Sequence, residues 1–160
     1  MQKMKELTAQ EAFNKAAACC SRAECCTADI SKKLERWGLD ADAREEVIGR
    51  LVGERFIDER RYCHSFVRDK FRYNQWGRTK IAQALRLKGV PEDCALEALE
   101  EIEEEEYRAT LGKLLQAKSR GLKAASDYER RGKLIRFALG RGFEMETIKH
   151  CLHADDEDFA

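Results

Sequence analysis

Apolar residues along this chain recur at every third or fourth position rather than at every second. Phe13, Ala17 and Cys20 form one such stripe, and later segments repeat the spacing. A period of 3.6 residues places side chains of this kind on one face of an α-helix. The single proline, Pro91, and the abundance of Ala, Leu, Glu, Lys and Arg favour the same conformation. The pattern therefore predicts an all-α fold.

The stripes predict a succession of helices with short connections. The sixth and seventh helices could instead be continuous through the glutamates at 103–106. Asp58 precedes the fourth helix and is predicted to be its N-cap. The predicted helices span residues 9–20, 27–37, 42–53, 58–73, 78–88, 91–102, 104–118, 127–140 and 144–152.

A short phrase recurs three times, and in each copy a helical stretch is followed by a glycine and an apolar residue. The glycines are Gly38, Gly89 and Gly142, which are 51 and 53 positions apart. A glycine in the left-handed conformation ends a helix and lets the next apolar residue fold back onto it. This period predicts three tandem three-helix, helix-turn-helix-like repeats that stack into an elongated, curved array. The predicted units are 1–57, 58–103 and 104–153, followed by an acidic tail at 154–160.

Charge is balanced overall but uneven along the chain. Lys plus Arg is 30 and Asp plus Glu is 30, so the net charge indicates no partner. The central unit is basic, the segment 92–106 is acidic, and residues 108–149 are basic again. Such zoning is typical of a protein that meets another charged surface in a fixed orientation.

The basic centre supplies the candidate interface residues. They do not form a single stripe, which favours a broad positive surface over a recognition helix that contacts base edges. The competing interpretation is a solvated helix face. Tyr73 and Trp76 could stack on bases, although Trp76 is better explained as closing the junction between two helices. The candidates for contact with a partner protein or DNA are Arg61, Arg68, Lys70, Arg72, Arg78, Lys80, Arg86 and Lys88.

The sequence offers no catalytic, cofactor-binding or metal site. A Walker-type glycine loop, a Gly-x-Ser-x-Gly motif and a metal-binding histidine pair of the His-Glu-x-x-His type are all missing. The seven cysteines are interpreted as small buried hydrophobes in a reducing compartment. Cys19-Cys20-x4-Cys25-Cys26 suggests a metal site, but its spacing is unusual and adjacent thiols on a regular helix cannot both point at one tetrahedral centre. His150-Cys151-x-His153 lies near the C-terminus, where frayed ends often carry such residues. Oxidation of the first group, giving a thiol-sensitive regulator, is a further hypothesis.

No apolar run approaches the roughly 20 residues needed to span a bilayer. No secretory apolar region follows Met1 either. The expected location is therefore the cytoplasm, without a membrane partner.

Three phrases of the chain resemble the motifs of one protein family. Ile57–Arg68 resembles the pattern L-D-D-x-R-F-A-x-x-F-V-R, and Gly77–Val90 matches G-x-x-[RK]-I-x-x-x-L-x-x-[KR]-G-[IV]. Arg22–Ile30 resembles R-x-E-x-S-x-x-E-L, except that Cys26 replaces the serine that would cap the second helix. Because a thiol is a poor cap, Thr27 is expected to take that position. The chain thus resembles the RecX regulatory proteins, and the resemblance covers residues about 10–152.

The resemblance implies a monomeric, non-enzymatic protein that binds the recombinase RecA. The family is expected to dock in the groove or at the end of the RecA–DNA filament. It would thereby inhibit ATP hydrolysis, filament extension and strand exchange in homologous recombination, DNA repair and the SOS response. Single- or double-stranded DNA is a further candidate partner. The alternative is a stand-alone DNA-binding protein of the helix-turn-helix type.

Overall fold

The computed structural model describes residues 7–158, with side chains described from 7 to 153. Within that range the chain is all-α, as predicted, and contains no strand. The helices are α1 Ala9–Arg22, α2 Thr27–Arg36, α3 Ala41–Gly53, α4 Glu59–Arg72, α5 Arg78–Leu87, α6 Glu92–Glu100, α7 Glu104–Arg120, α8 Asp127–Gly140 and α9 Met145–Asp158.

The structure decides whether the sixth and seventh helices are continuous, and it places the end of the last helix beyond the prediction. Helices α6 and α7 are separate, because Glu103 is extended (φ −69°, ψ 136°) and serves as the N-cap of α7. Helix α9 continues to Asp158, beyond the predicted end at 152. The side chains of the predicted acidic tail, 154–160, lie outside the described residues.

The three repeated glycines all adopt the left-handed conformation that the repeat predicts. Their φ angles are +89° at Gly38, +71° at Gly89 and +96° at Gly142. After the last of them, the backbone N–H of Phe143 donates to the carbonyl of Ala138 at 3.1 Å, and the Phe143 side chain is buried. The glycine therefore turns the chain back so that the following apolar residue joins the core.

Side-chain caps begin several helices. The Asp58 carboxylate accepts a hydrogen bond from the Arg61 N–H at 3.0 Å, which confirms the predicted cap of α4. The prediction for α2 is wrong, because Cys26 and not Thr27 is its N-cap residue. The Cys26 thiol makes no capping hydrogen bond, since sulfur is a weak acceptor. Instead, Glu59 Oε1 accepts a hydrogen bond from the Thr27 N–H at 3.0 Å.

The chain forms two compact units. The first unit consists of residues up to Phe66 together with Leu85–Ala95, and the second consists of Val67–Ala84 together with residues from Leu96 onward. Helices α1, α2 and α3 pack on one another in the first unit, and α7, α8 and α9 do so in the second. The division into three repeats at 57/58 and 103/104 stays a prediction.

Each unit has its own apolar core. In the first unit the core includes Ile30, Leu34 and Leu51, which are fully buried. In the second unit Tyr107 lies between Phe71 and Phe143, with ring centroids 5.8 and 5.1 Å away. Burial of this kind, at about 25 cal/mol per Å² of apolar surface, is the main stabilising contribution in both units. No helix in the described range is long and apolar enough to cross a bilayer.

Candidate functional site

In the second unit, the turn between α4 and α5 is bound to the turn between α8 and α9 through backbone hydrogen bonds. The N–H of Gly77 donates to the carbonyl of Arg141 at 2.8 Å, and the N–H of Thr79 donates to that of Gly142 at 3.0 Å. The Arg141 guanidinium returns a hydrogen bond to the carbonyl of Asn74 at 3.1 Å. The two turns therefore fix each other's position.

The two backbones approach so closely that no side chain fits between them. A Cβ on Gly77 would lie 2.3 Å from the carbonyl carbon of Gly142. A Cβ on Gly142 would lie 2.3 Å from the Cβ of Lys80. Gly142 is thus required twice, for its positive φ and for this contact, and the sequence pattern indicated only the first requirement.

Arg78 lies inside this junction, where it forms two ion pairs and a cation–π contact. Its guanidinium is 2.7 Å from Glu104 Oε2 and 3.1 Å from Glu144 Oε2. It also stacks on the ring of Tyr107, with 3.9 Å from Cζ to the ring centroid. The Tyr107 hydroxyl accepts a hydrogen bond from the Arg78 N–H at 2.9 Å and donates one to Glu144. Arg78, a candidate for contact with a partner, therefore has an internal role.

The electrostatics of the junction agree with a charged Arg78. Burial lowers the pKa of Arg78, but its hydrogen bonds to Glu104 and Glu144 outweigh burial and raise that pKa. The hydrogen bond from Arg78 lowers the pKa of Glu104 below its usual value. Burial, together with the hydrogen bond to Glu144, raises the pKa of Tyr107. At neutral pH the arginine is charged, Glu104 is ionised and the tyrosine keeps its proton.

Replacing Tyr107 with phenylalanine should destabilise the protein by about 1–3 kcal/mol, because the Arg78 N–H and the Glu144 carboxylate both lose a partner. Urea unfolding measures the change. The control is Tyr128→Phe, which removes a hydroxyl from a side chain that is 89% exposed and should cost less than about 0.5 kcal/mol. Equal stabilities of the two variants would show that the Tyr107 hydroxyl contributes nothing.

Two further candidate cations form ion pairs within the first unit. Arg61 Nε lies 2.7 Å from Glu24 Oε1, and its Nη2 donates to the carbonyl of Arg55 at 3.1 Å. Lys88 Nζ lies 2.7 Å from Asp29 Oδ1. The hydrogen bond to Glu24 raises the pKa of Arg61, and that to Asp29 raises the pKa of Lys88. Like Arg78, these residues join segments that are distant in sequence.

The Asp29–Lys88 pair predicts a pH-dependent contribution to stability. Burial raises the pKa of Asp29, but the hydrogen bond from Lys88 outweighs it, so the pKa lies below its usual value. A depressed carboxyl pKa stabilises the fold above the unfolded value of about 3.9, and that stabilisation is lost as the pH falls through the folded pKa. Because both side chains are about one-third exposed, the contribution at neutral pH should stay below about 1 kcal/mol.

Urea unfolding of the wild type and of Lys88→Met, measured between pH 3 and pH 7, tests this prediction. The difference in unfolding free energy should be constant above about pH 5 and should shrink as Asp29 becomes protonated. A difference that persists undiminished at pH 3 would assign the effect to packing of the lysine stem instead of the ion pair.

The remaining candidate residues for contact with a partner are Arg68, Lys70, Arg72, Lys80 and Arg86. Arg68 and Arg72 are exposed one turn apart on α4, and neither has an ion-pair partner among the described residues. The ammonium groups of Lys70 and Lys80 lie 4.9 and 4.5 Å from the ring centroid of Trp76. We call Arg68, Lys70, Arg72 and Lys80, all in the second unit, the cation surface. Arg86, in the first unit, is also exposed.

The two aromatic residues near these cations differ in accessibility. Trp76 is half-buried, contacts both lysines, and donates its backbone N–H to the carbonyl of Lys70 at 3.0 Å. These contacts favour its interpretation as the residue that closes the α4–α5 junction. Tyr73 is 83% exposed. Of the two rings, only that of Tyr73 is open to stacking on a base without rearrangement.

The cysteines are free thiols, and most are buried. Burial raises the pKa of Cys20 and of Cys63 to about 12 and also raises those of Cys25 and Cys26. Because the thiolate is the reactive form, these shifts disfavour oxidation at neutral pH. Among the described residues, no three His, Cys, Asp or Glu side chains are grouped as metal ligands would be.

Comparison with known proteins identifies the family. Residues 58–99 match the second three-helix domain of RecX, and residues 104–152 match the third. The regulatory protein RecX of Prosthecochloris aestuarii is 32% identical over 150 residues, which cover 93% of this chain and 96% of that relative. This chain belongs to the RecX family. The resemblance inferred from the sequence motifs is therefore confirmed.

Other relatives agree with the assignment. The regulatory protein RecX of Clostridium botulinum is 33% identical over 122 residues, but that match spans only 57% of its length. The crystal structure of RecX from Lactobacillus salivarius superposes with a TM-score of 0.83 at 20% identity, over 92% of this chain and 96% of that one. A second crystal structure of a regulatory protein RecX gives a TM-score of 0.80 at 23% identity, over 96% and 81%. The RecX fold is thus shared.

Proposed function

We propose that this RecX-family protein is a non-enzymatic regulator that acts in the cytoplasm on the RecA–DNA filament. By occupying the groove or the end of the filament, it would inhibit ATP hydrolysis, filament extension and strand exchange. Membership of the family and the regulatory names of its relatives support this proposal. The observation that suggests which residues contact the filament is the cation surface.

The cation surface is suited to a large anionic partner. Arg68 and Arg72 project from one side of α4 and are not committed to internal ion pairs in the described range. Lys70, on the same helix, and Lys80, on α5, both contact the ring of Trp76. Cations at a protein surface guide association and contact acidic side chains or phosphates. They do not require base-edge contacts, which agrees with a partner recognised by charge rather than by sequence.

The internal ion pairs contribute to binding indirectly. Arg78 fixes the α4–α5 turn through Glu104 and Glu144, so the residues on either side of that turn have a defined position. A surface that is already ordered loses less conformational entropy when a partner binds. Arg78 therefore helps to order this part of the second unit, and the residues of the cation surface make the contacts.

The test is ATP hydrolysis by RecA on single-stranded DNA, titrated with this protein at moderate salt. We expect hydrolysis to fall at amounts of protein well below those of RecA, because blocking a filament end affects many subunits at once. Unchanged hydrolysis combined with tight binding to duplex DNA alone would overturn the proposal. That result would favour the stand-alone helix-turn-helix alternative, whose affinity should depend steeply on salt.

A further inference from the structure

Helix α8 carries a second apolar stripe besides the one that faces the core. Leu134 and Ala138 are buried and belong to the core side. The second stripe occupies positions i, i+4, i+7 and i+11, which fall within one narrow arc of a helix. Its members include large side chains that are unusually exposed, Tyr128 at 89% and Leu139 at 44%. We call these residues the α8 stripe; they are Tyr128, Gly132, Ile135 and Leu139.

Arginines border the α8 stripe on both sides. At 100° per residue, Arg131 lies on one edge of the arc and Arg136 on the other. Acids lie on this helix too, and Glu129 accepts a hydrogen bond from the Ala125 N–H at 3.0 Å and lies 3.2 Å from Lys133 Nζ. Cations still outnumber acids along α8, so its net charge is positive; the charged residues are Asp127, Glu129, Arg130, Arg131, Lys133 and Arg136.

The surface of α8 is also concave at this place. An open depression of about 410 Å³ is lined by Tyr128, Glu129, Arg131, Gly132, Ile135 and Arg136. Gly132 lies in its lining, and the atom nearest to a Cβ built there is Arg136 Nη1, at 3.5 Å. Because glycine has no side chain, another backbone can approach α8 closely at this position.

We infer that the α8 stripe is a docking site for an acidic amphipathic helix of a partner protein. Apolar residues of that helix would lie over Ile135 and Leu139, and its flanking carboxylates would face the net positive charge of α8 beside Arg136. A second copy of this chain fits less well, because α8 against α8 places arginines beside arginines. A nucleic acid fits less well too, since Tyr128 is the single aromatic side chain of the stripe, and Ile135 and Leu139 provide no stacking surface. This inference does not depend on the proposed action on RecA.

The experiment uses the full chain and two designed helical peptides of about 18 residues. Both present leucines at i, i+4, i+7 and i+11; one flanks them with glutamates and the other with lysines. Binding is followed by NMR titration of the backbone amides. We expect the glutamate peptide to shift the amides of residues 128–139 and to bind about tenfold or more tightly than the lysine peptide.

Two variants and a control make the assignment specific. Arg136→Glu should weaken the glutamate peptide about tenfold and strengthen the lysine peptide. Leu139→Ser should weaken the glutamate peptide about tenfold, because its contact is apolar. Leu96→Ser changes another exposed leucine of the second unit, at 55% exposure, and should leave binding unchanged.

Several results would overturn the inference. These are equal binding of the two peptides, shifts confined to other residues, or no binding of the glutamate peptide. A self-association that Leu139→Ser abolishes would assign the stripe to a second copy of the chain. An oligonucleotide that shifts residues 128–139 while the glutamate peptide does not would assign it to nucleic acid.

Discussion

Replacing Gly77 with alanine is expected to destabilise the protein by about 2–3 kcal/mol, one of the largest effects available to a single added methyl group. The new Cβ would lie 2.3 Å from both the carbonyl carbon and the carbonyl oxygen of Gly142. Both atoms are backbone, so no flexible side chain can move aside. The α4–α5 turn would have to move away from the α8–α9 turn, and the hydrogen bond from the Gly77 N–H to Arg141 would be lost with it.

A matched substitution in the same unit should have the opposite sign. Gly112 lies in the interior of α7, and nothing is within 4 Å of a Cβ built there. Gly112→Ala should therefore stabilise the protein by about 0.5–1 kcal/mol, since alanine loses less backbone entropy in a helix. Urea unfolding of both variants measures the two changes in the free energy of unfolding. If Gly77→Ala were as stable as the wild type, the two turns could not be packed as described.

Under the proposed function, the double substitution Arg68→Glu/Arg72→Glu should raise the concentration for half-inhibition of RecA about a hundredfold or more. Both residues are exposed on α4, and each change replaces attraction to an anionic partner by repulsion. The circular-dichroism spectrum and the unfolding midpoint should change little, because neither side chain has an ion-pair partner in the described structure. The measurement is inhibition of ATP hydrolysis by RecA on single-stranded DNA.

The control for this pair is Lys32→Glu/Arg36→Glu on α2. It reverses two exposed cations at the same i, i+4 spacing and changes the net charge equally. Inhibition by this variant should stay within about threefold of the wild type, apart from a small general effect of charge that salt screens. If both double variants lost inhibition alike, net charge and not the cation surface would be responsible.

Much of the fold could be predicted from the sequence because its signals are local. The apolar period of 3.6 residues gave most helix ends within two residues, and the recurring phrase identified Gly38, Gly89 and Gly142 as left-handed. These features depend on residues within one or two turns of each other. The cap of α2 shows where this locality fails, because its acceptor, Glu59, is 32 residues away.

The residues of the candidate site were harder to predict. An arginine or lysine in an internal ion pair cannot be distinguished in the sequence from one that is exposed. Arg61, Arg78 and Lys88 resemble Arg68 and Arg72 in the sequence. The partner of Arg61 is 37 residues away in the sequence, and that of Lys88 is 59 residues away. The two partners of Arg78 are 26 and 66 residues away, and only the packed structure shows these pairs. The requirement for glycine at position 77 is equally non-local, because it arises from the backbone of residue 142.

The first unit is completed by Leu85–Ala95, after an excursion of the chain through Val67–Ala84 in the second unit. During synthesis on the ribosome, the first unit therefore cannot be completed until residue 95 has left the exit tunnel. At about 5–20 residues per second, that delay after residue 66 lasts a few seconds. A nascent chain released before residue 88 would lack the lysine partner of Asp29 and would be a substrate for chaperones or proteases.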